Sequence, residues 1–172
     1  LFADPSKVGQ PSPLVHVTPD GRATVATREI AFPNGMSILP SGELLVADSL
    51  TGELLAFTRQ ADGALTDRRV WAAIPGEMPD GISLDAEGAV WIASHHQVLR
   101  VREGGEITDV VDMGSTRATA CMLGGADGRT LLITASDTHD RAEIRAKGPS
   151  GALFTVHVSI AGAGLPSVYG AT

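Results

Sequence analysis

Aromatic side chains are scarce in this sequence of 172 residues: four Phe, two Trp and one Tyr. Cysteine is scarcer still. Cys121 stands alone, so no disulfide can close within the chain and cysteine usage gives no sign of an oxidising compartment. No stretch approaches the roughly 18 consecutive apolar residues that span a bilayer, and no signal-peptide pattern opens the chain. A cytoplasmic location without a membrane partner is therefore expected. Positive charge is also short, with 13 Lys and Arg against 20 Asp and Glu for a formal net charge of −7. That balance argues against a nucleic-acid partner, because phosphate binding relies on clustered cations. What the chain has in quantity is turn chemistry, 20 Gly and 10 Pro. This composition points to many short strands rather than long helices, in a chain long enough for one domain with a real core.

Those strands repeat. Pro33-Asn34-Gly35-Met36-Ser37-Ile38 lies 46 positions before Pro79-Asp80-Gly81-Ile82-Ser83-Leu84, and the same offset relates Ser41–Ala47 to Glu87–Ala93. A degenerate third copy runs through Thr119–Leu123 and Asp127–Thr134. Each copy continues into a third apolar run (Leu54–Phe57, Val98–Val101, Leu153–Val158), and the first two into a fourth, near Arg69–Ala73 and Thr108–Asp112. Runs this short are strands, and four antiparallel strands every ~40–45 residues are the signature of β-propeller blades. The expected fold is all-β, a partial propeller of about three and a half blades. Residues 1–30 end an upstream blade, 31–76 and 77–116 are full blades, and 117–172 form a last blade without its outer strand. The chain opens at Leu1 inside a loop-like stretch, Ala3-Asp4-Pro5-Ser6, and is expected to have lost residues upstream.

Blade topology puts the connections into each inner strand, and the loops between second and third strands, on one face. Asn34 and Asp80, at equivalent positions of neighbouring blades, would then point toward the central channel, while the third copy offers Ala120. Two converging side-chain oxygens suit a hard divalent cation. A second reading stands beside this one: Pro-Asn-Gly and Pro-Asp-Gly are ordinary turn tripeptides.

Asp48, His95 and Arg117 are candidates for orienting substrate at the rim, Arg117 toward an anionic one. Adjacent His95 and His96 point to opposite sides of a strand, so one at most faces the channel. Neither His-Glu-x-x-His spacing nor a cysteine partner supports a zinc pair. His139 belongs to a polar loop that could line the rim, whereas His16 and His157 read as strand residues. Cys121 reads as a small buried residue rather than a nucleophile. No Gly-x-Ser-x-Gly elbow of a serine hydrolase occurs.

Phe32–Met36 through Val46-Ala47-Asp48-Ser49, with Arg68–Trp71, Pro79–Ile82, Asp85–Trp91 and Cys121–Gly125, resembles the gluconolactonase and senescence-marker-protein (regucalcin-like) family. The resemblance runs from about Leu1 to Pro166. It implies a six-bladed propeller with one divalent cation in the central channel (Ca, Zn, Mg or Mn) and hydrolysis of a small-molecule sugar lactone. Residue by residue, it implies that Asn34 is a metal ligand and that Asp80 is both a ligand and the general base. The family's other channel residues, an acidic ligand near the N-terminus and an Asn of an earlier blade, have no counterpart in this sequence. The missing N-terminal part of the same propeller is thus an expected partner, and the fragment alone is expected to be inactive. Two other readings remain: a cation-dependent esterase or organophosphate hydrolase, and a non-catalytic NHL-like binding propeller, whose repeats also end their second strand as Val46-Ala47-Asp48-Ser49 does.

Overall fold

The computed structural model describes residues 12–138, 140–148 and 150–164. The loop-like opening of the chain and His139 lie outside them.

Among the described residues, thirteen strands and one short helix follow one another in chain order. β1 (Ser12–Val17) pairs with β2 (Ala23–Ile30). β3 (Pro33–Ile38), β4 (Leu44–Asp48), β5 (Glu53–Arg59) and β6 (Leu65–Ala73) form an antiparallel meander. So do β7 (Ile82–Leu84), β8 (Val90–Ser94), β9 (Gln97–Val101) and β10 (Ile107–Asp112). β11 (Arg117–Gly124), β12 (Thr130–Ser136) and β13 (Gly151–His157) make a sheet of three. Successive sheets meet through their first strands, β3 against β7 and β7 against β11. They are blades of a propeller arc.

The middle strands show why the sheets stack. Side chains alternate across a strand, and here both faces are buried. Along β4, Leu45 and Ala47 join the core shared with the third sheet, while Val46 joins Ile30, Leu55 and Phe57 in the core shared with the first. β8 repeats this: Val90 and Ile92 face back to the second sheet, and Trp91 and Ala93 face forward to Ile133 and Leu131. A strand clad on both sides reads as an unbroken apolar run, as Leu44-Leu45-Val46-Ala47 and Val90-Trp91-Ile92-Ala93 do. The outer strands β6 and β10 are largely exposed.

Charges tie the periphery. Asp85, at the turn after β7, accepts the backbone N–H groups of Glu87 and Ala89 on Oδ1 and Arg100 Nε on Oδ2 at 2.7 Å. Both side chains are almost fully buried, and Arg100 also reaches Glu87 at 2.9 Å. A buried pair needs such extra hydrogen bonds to offset its desolvation. Arg69 bridges Glu43 of its own sheet and Glu103 of the next, and its guanidinium pulls the Glu43 carboxyl down to about 2. Farther along the chain, residues 161–163 bond to the turns of the last two sheets, with Ala86 N–H donating to Ala161 O, Gly162 N–H to Gly128 O and Ala163 N–H to Leu84 O.

One element departs from the expected all-strand pattern. Helix α1 (Arg141–Lys147) sits between β12 and β13, capped by Asp140, whose carboxylate accepts the N–H groups of Ala142 and Glu143. The signal was local: an Asp cap followed three positions later by Glu. No helix among the described residues is long and apolar enough to cross a membrane.

Candidate functional site

The glycines after Asn34 and Asp80 decide between the turn and the channel readings. Neither Gly35 nor Gly81 has a positive φ, so neither supplies the unusual backbone angle of a glycine turn. Both supply space. A Cβ on Gly35 would lie 2.5 Å from Asp80 O and 2.6 Å from Ile82 N, and one on Gly81 would lie 2.5 Å from Ala120 Cβ. Removing the side chain lets inner strands approach closely enough for Gly35 N–H to donate to Asp80 O at 3.0 Å, and Gly81 N–H to Thr119 O at 3.1 Å.

These matching hydrogen bonds also set the third register. Asp80 stands to Gly35 as Thr119 stands to Gly81, so the third counterpart of Asn34 and Asp80 is Thr119. Ala120, the expected residue, occupies the glycine slot. The pairing of β11 with β12 slips between Ala118 and Ala120, as that of β3 with β4 slips between Pro33 and Met36. Such bulges re-aim side chains and hide one residue from repeat counting. Thr119 Oγ1 bonds within its sheet, to Thr134 O at 3.0 Å and Thr134 Oγ1 at 2.8 Å.

Side chains from separate segments line a cleft of about 220 Å³: Phe32, Asn34, Ser49, Met78, Asp80, His95, Arg117 and Ala118. Connections into the inner strands give Phe32 and Met78, and the loops between second and third strands give Ser49 and His95. The two sets share one face, as the topology requires. Asn34, Asp80, His95 and Arg117 come together there from positions spread over more than eighty residues.

Asn34 is held in a defined orientation. Ser49 donates its one hydroxyl proton to Pro79 O at 2.6 Å, so toward Asn34 it can only accept, and Asn34 Nδ2 donates to it at 3.3 Å. The amide oxygen is then the atom available to a ligand. Oxygen donors on Asn34 and Asp80 match a hard cation rather than a thiophilic one. The pair supplies fewer oxygens than such an ion takes, and the described residues hold no cluster of three or more His, Cys, Asp or Glu side chains.

His95 and Arg117 face each other across two loops. His95 occupies the first position of the two-residue turn between β8 and β9, with φ 48°, where glycine is the usual occupant. Its carbonyl accepts Ala118 N–H at 2.8 Å. Its Nδ1 lies 3.3 Å from Arg117 Nη2. Arginine only donates, so Nδ1 accepts and the imidazole proton sits on Nε2. Behind them Glu77 accepts Ser94 Oγ at 2.7 Å and Gln97 Nε2 at 2.8 Å, fixing the hairpin against the connection into β7. Blade topology places Ser49 on this face, as observed, whereas its contacts with Asn34 and Pro79 and the role of Glu77 have only a spatial signal.

Asp48 is corrected. It was expected at the rim as a substrate contact, but it is 1% exposed and its carboxylate accepts the N–H groups of Ala31, Phe32 and Leu50. It clamps the connection into β3, as Ser94 holds Met78 N–H at 2.9 Å one repeat later. His96 bonds Thr116 O at 3.3 Å outside the cleft. Cys121 is buried with its thiol toward Trp91 O at 3.4 Å, and burial pushes its pKa up to about 12, leaving no thiolate for nucleophilic chemistry.

Comparison with known proteins joins this geometry to a family. Residues 2–137 match the profile of the SMP-30/Gluconolactonase/LRE-like region. A 6-deoxy-6-sulfogluconolactonase of Pseudomonas putida is 30% identical over 160 residues, covering 89% of this chain and 55% of that one. Among solved structures, a calcium-binding regucalcin of Agrobacterium tumefaciens superposes with a TM-score of 0.73 at 23% identity, over 92% of this chain and 56% of that one. A gluconolactonase of Xanthomonas campestris gives 0.60 at 28% identity, over 72% and 41%. The chain spans about half the length of the curated relatives it matches.

Proposed function

Because the chain belongs to the SMP-30/gluconolactonase/LRE-like family, we propose that the protein hydrolyses sugar lactones with the help of one divalent cation, and that this chain carries part of the active centre. The observation that carries this reading is the convergence of Asn34 and Asp80 on one cleft from equivalent positions of adjacent inner strands. The names of the Pseudomonas and Xanthomonas relatives support a lactone as substrate. The calcium-binding neighbour supports calcium as the cation, while the oxygen pair suits calcium, magnesium or manganese better than a thiophilic ion.

Asn34, through its amide oxygen, and Asp80, through its carboxylate, would hold the cation from this part of the propeller. Further donors come from blades N-terminal to these in the same propeller. When bound, the cation supplies Lewis-acid polarisation of the lactone carbonyl. The Asp80 carboxylate accepts a proton from the attacking water, a role worth about 10²–10⁴-fold in rate. That proton returns to the ring oxygen as the ester C–O bond breaks, leaving the open-chain acid. Ser49 keeps the Asn34 amide turned for coordination, and the Glu77–Ser94 contact holds the backbone leading to Asp80.

Asp80→Asn in the complete protein, assayed on gluconolactone by proton release with and without added cation, is expected to lower kcat by at least about a hundredfold. Activity within a few-fold of wild type would remove Asp80 from the chemistry.

A further inference from the structure

Resting on the lactone reading, we propose that Arg117 and His95 make this cleft selective for lactones that carry an anionic oxygen substituent: a carboxylate, sulfonate or phosphate. Arg117 is the one Lys or Arg lining the cleft. It is half-buried, and among the described residues it forms no ion pair with a carboxylate; its side-chain contact is the neutral acceptor Nδ1 of His95. The other arginines with resolved partners spend their charge on Asp or Glu, as Arg69 and Arg100 do. A guanidinium that forms no ion pair among the described residues, although Asp80 lines the same cleft, retains donors for a ligand.

His95 completes the arrangement. With Nδ1 accepting from Arg117, its remaining polar atom is the Nε2–H donor. The pair therefore presents donors only, a pattern that fits an oxyanion and offers nothing to a sugar hydroxyl seeking an acceptor. His95 holds this place at a positive φ that Gly would occupy more easily. The surrounding chain is acidic, with a net charge of −7, so its overall field disfavours an anion and a local cation must recruit one. Asn34 and Asp80 line the same small cleft, which places the anionic end of the substrate beside the ester rather than on a remote surface.

The experiment compares kcat/KM of the complete protein on gluconolactone with that on carboxylated, sulfonated and phosphorylated counterparts. Alongside, calorimetry measures binding of the non-hydrolysable polyols sorbitol and sorbitol phosphate. Wild type is expected to prefer at least one anionic lactone, and the three arms show which oxyanion it is. Arg117→Gln is expected to reduce the anionic-to-neutral ratio by about 10- to 100-fold, the size of one hydrogen bond to a charged group. Arg117→Lys should recover part of the ratio. His95→Asn, which tolerates the backbone angle, should reduce it less than Arg117→Gln does. Equal rates on neutral and anionic lactones, or an equal loss on both in Arg117→Gln, overturn the selectivity and leave the hydrolase standing. If no lactone is turned over but sorbitol phosphate binds in an Arg117-dependent way, the anion site stands and the lactone reading falls. If neither occurs, both fall.

Discussion

Replacing Gly35 by Ala tests whether this residue is there for space. The new methyl carbon would meet Asp80 O at 2.5 Å and Ile82 N at 2.6 Å, both backbone atoms, where ordinary contact begins at 3.4 Å. The two inner strands must part by about 0.9 Å, because no flexible side chain can absorb the overlap. Overpacking of this kind costs about 1–3 kcal/mol. The Gly35 N–H to Asp80 O bond, 3.0 Å long, is stretched beyond use, and its loss adds about 1 kcal/mol. Together the variant should lose about 2–4 kcal/mol, or roughly 4–16 °C in Tm for a domain of this size. Thermal unfolding by calorimetry reads this directly, with Gly124→Ala as control. A Cβ at Gly124 meets Leu132 Cδ1 at an ordinary 3.6 Å, and its φ is not positive, so that variant should stay within about 0.5 kcal/mol of wild type. Because the displaced atom belongs to Asp80, binding of the proposed cation by the complete protein should weaken in Gly35→Ala and hold in the control. Equal melting temperatures for the two variants would refute the close-approach explanation.

Two further outcomes follow from the buried groups. Asp85→Ala strands Arg100 in the interior with one nearby carboxylate, Glu87, and a more distant one, Asp109, at 3.7 Å. Chemical denaturation should show a loss of about 3–5 kcal/mol, and a loss under about 1 kcal/mol would mean Glu87 takes over the pairing. Burial holds the Cys121 thiol protonated up to about pH 12, so its alkylation at pH 8 should be on the order of a thousandfold slower than that of an exposed cysteine. The unfolded chain gives up this proton first, so the associated stability is complete below the ordinary thiol pKa and is lost as pH rises toward about 12. Cys121→Ala should flatten the alkaline limb, and rapid labelling of native protein would show the thiol to be accessible.

The fold was legible because its physics is local and repeated. Apolar runs of four or five residues, with Gly42 and Gly88 in matching turns, mark each hairpin wherever it falls. The placement of Asn34 and Asp80 on one cleft was legible for the same reason: a fixed offset carries each to the approach of an inner strand. The third copy failed by one residue because a bulge between Ala118 and Ala120 changes the count without altering the apolar pattern. Asp48 misled because its loop lies on the correct face, while three backbone N–H groups within a short reach claim its carboxylate. Ser49 and Glu77 act on residues far away in sequence or across a hairpin, contacts with no trace in spacing. Helix α1 was readable from Asp140 and Glu143, but its surroundings look like any polar loop.

The paired hydrogen bonds from Gly35 to Asp80 and from Gly81 to Thr119 have a bearing on how such a protein changes over time. At Asn34 and Asp80 the approach of neighbouring strands is secured by the glycine that follows and by main-chain atoms, so the side chain itself carries little of that contact. An amide, a carboxylate and a hydroxyl already occupy interchangeable sockets. Charge and hydrogen-bonding capacity on this face of the inner strands can therefore change one codon at a time while the scaffold stays as it is.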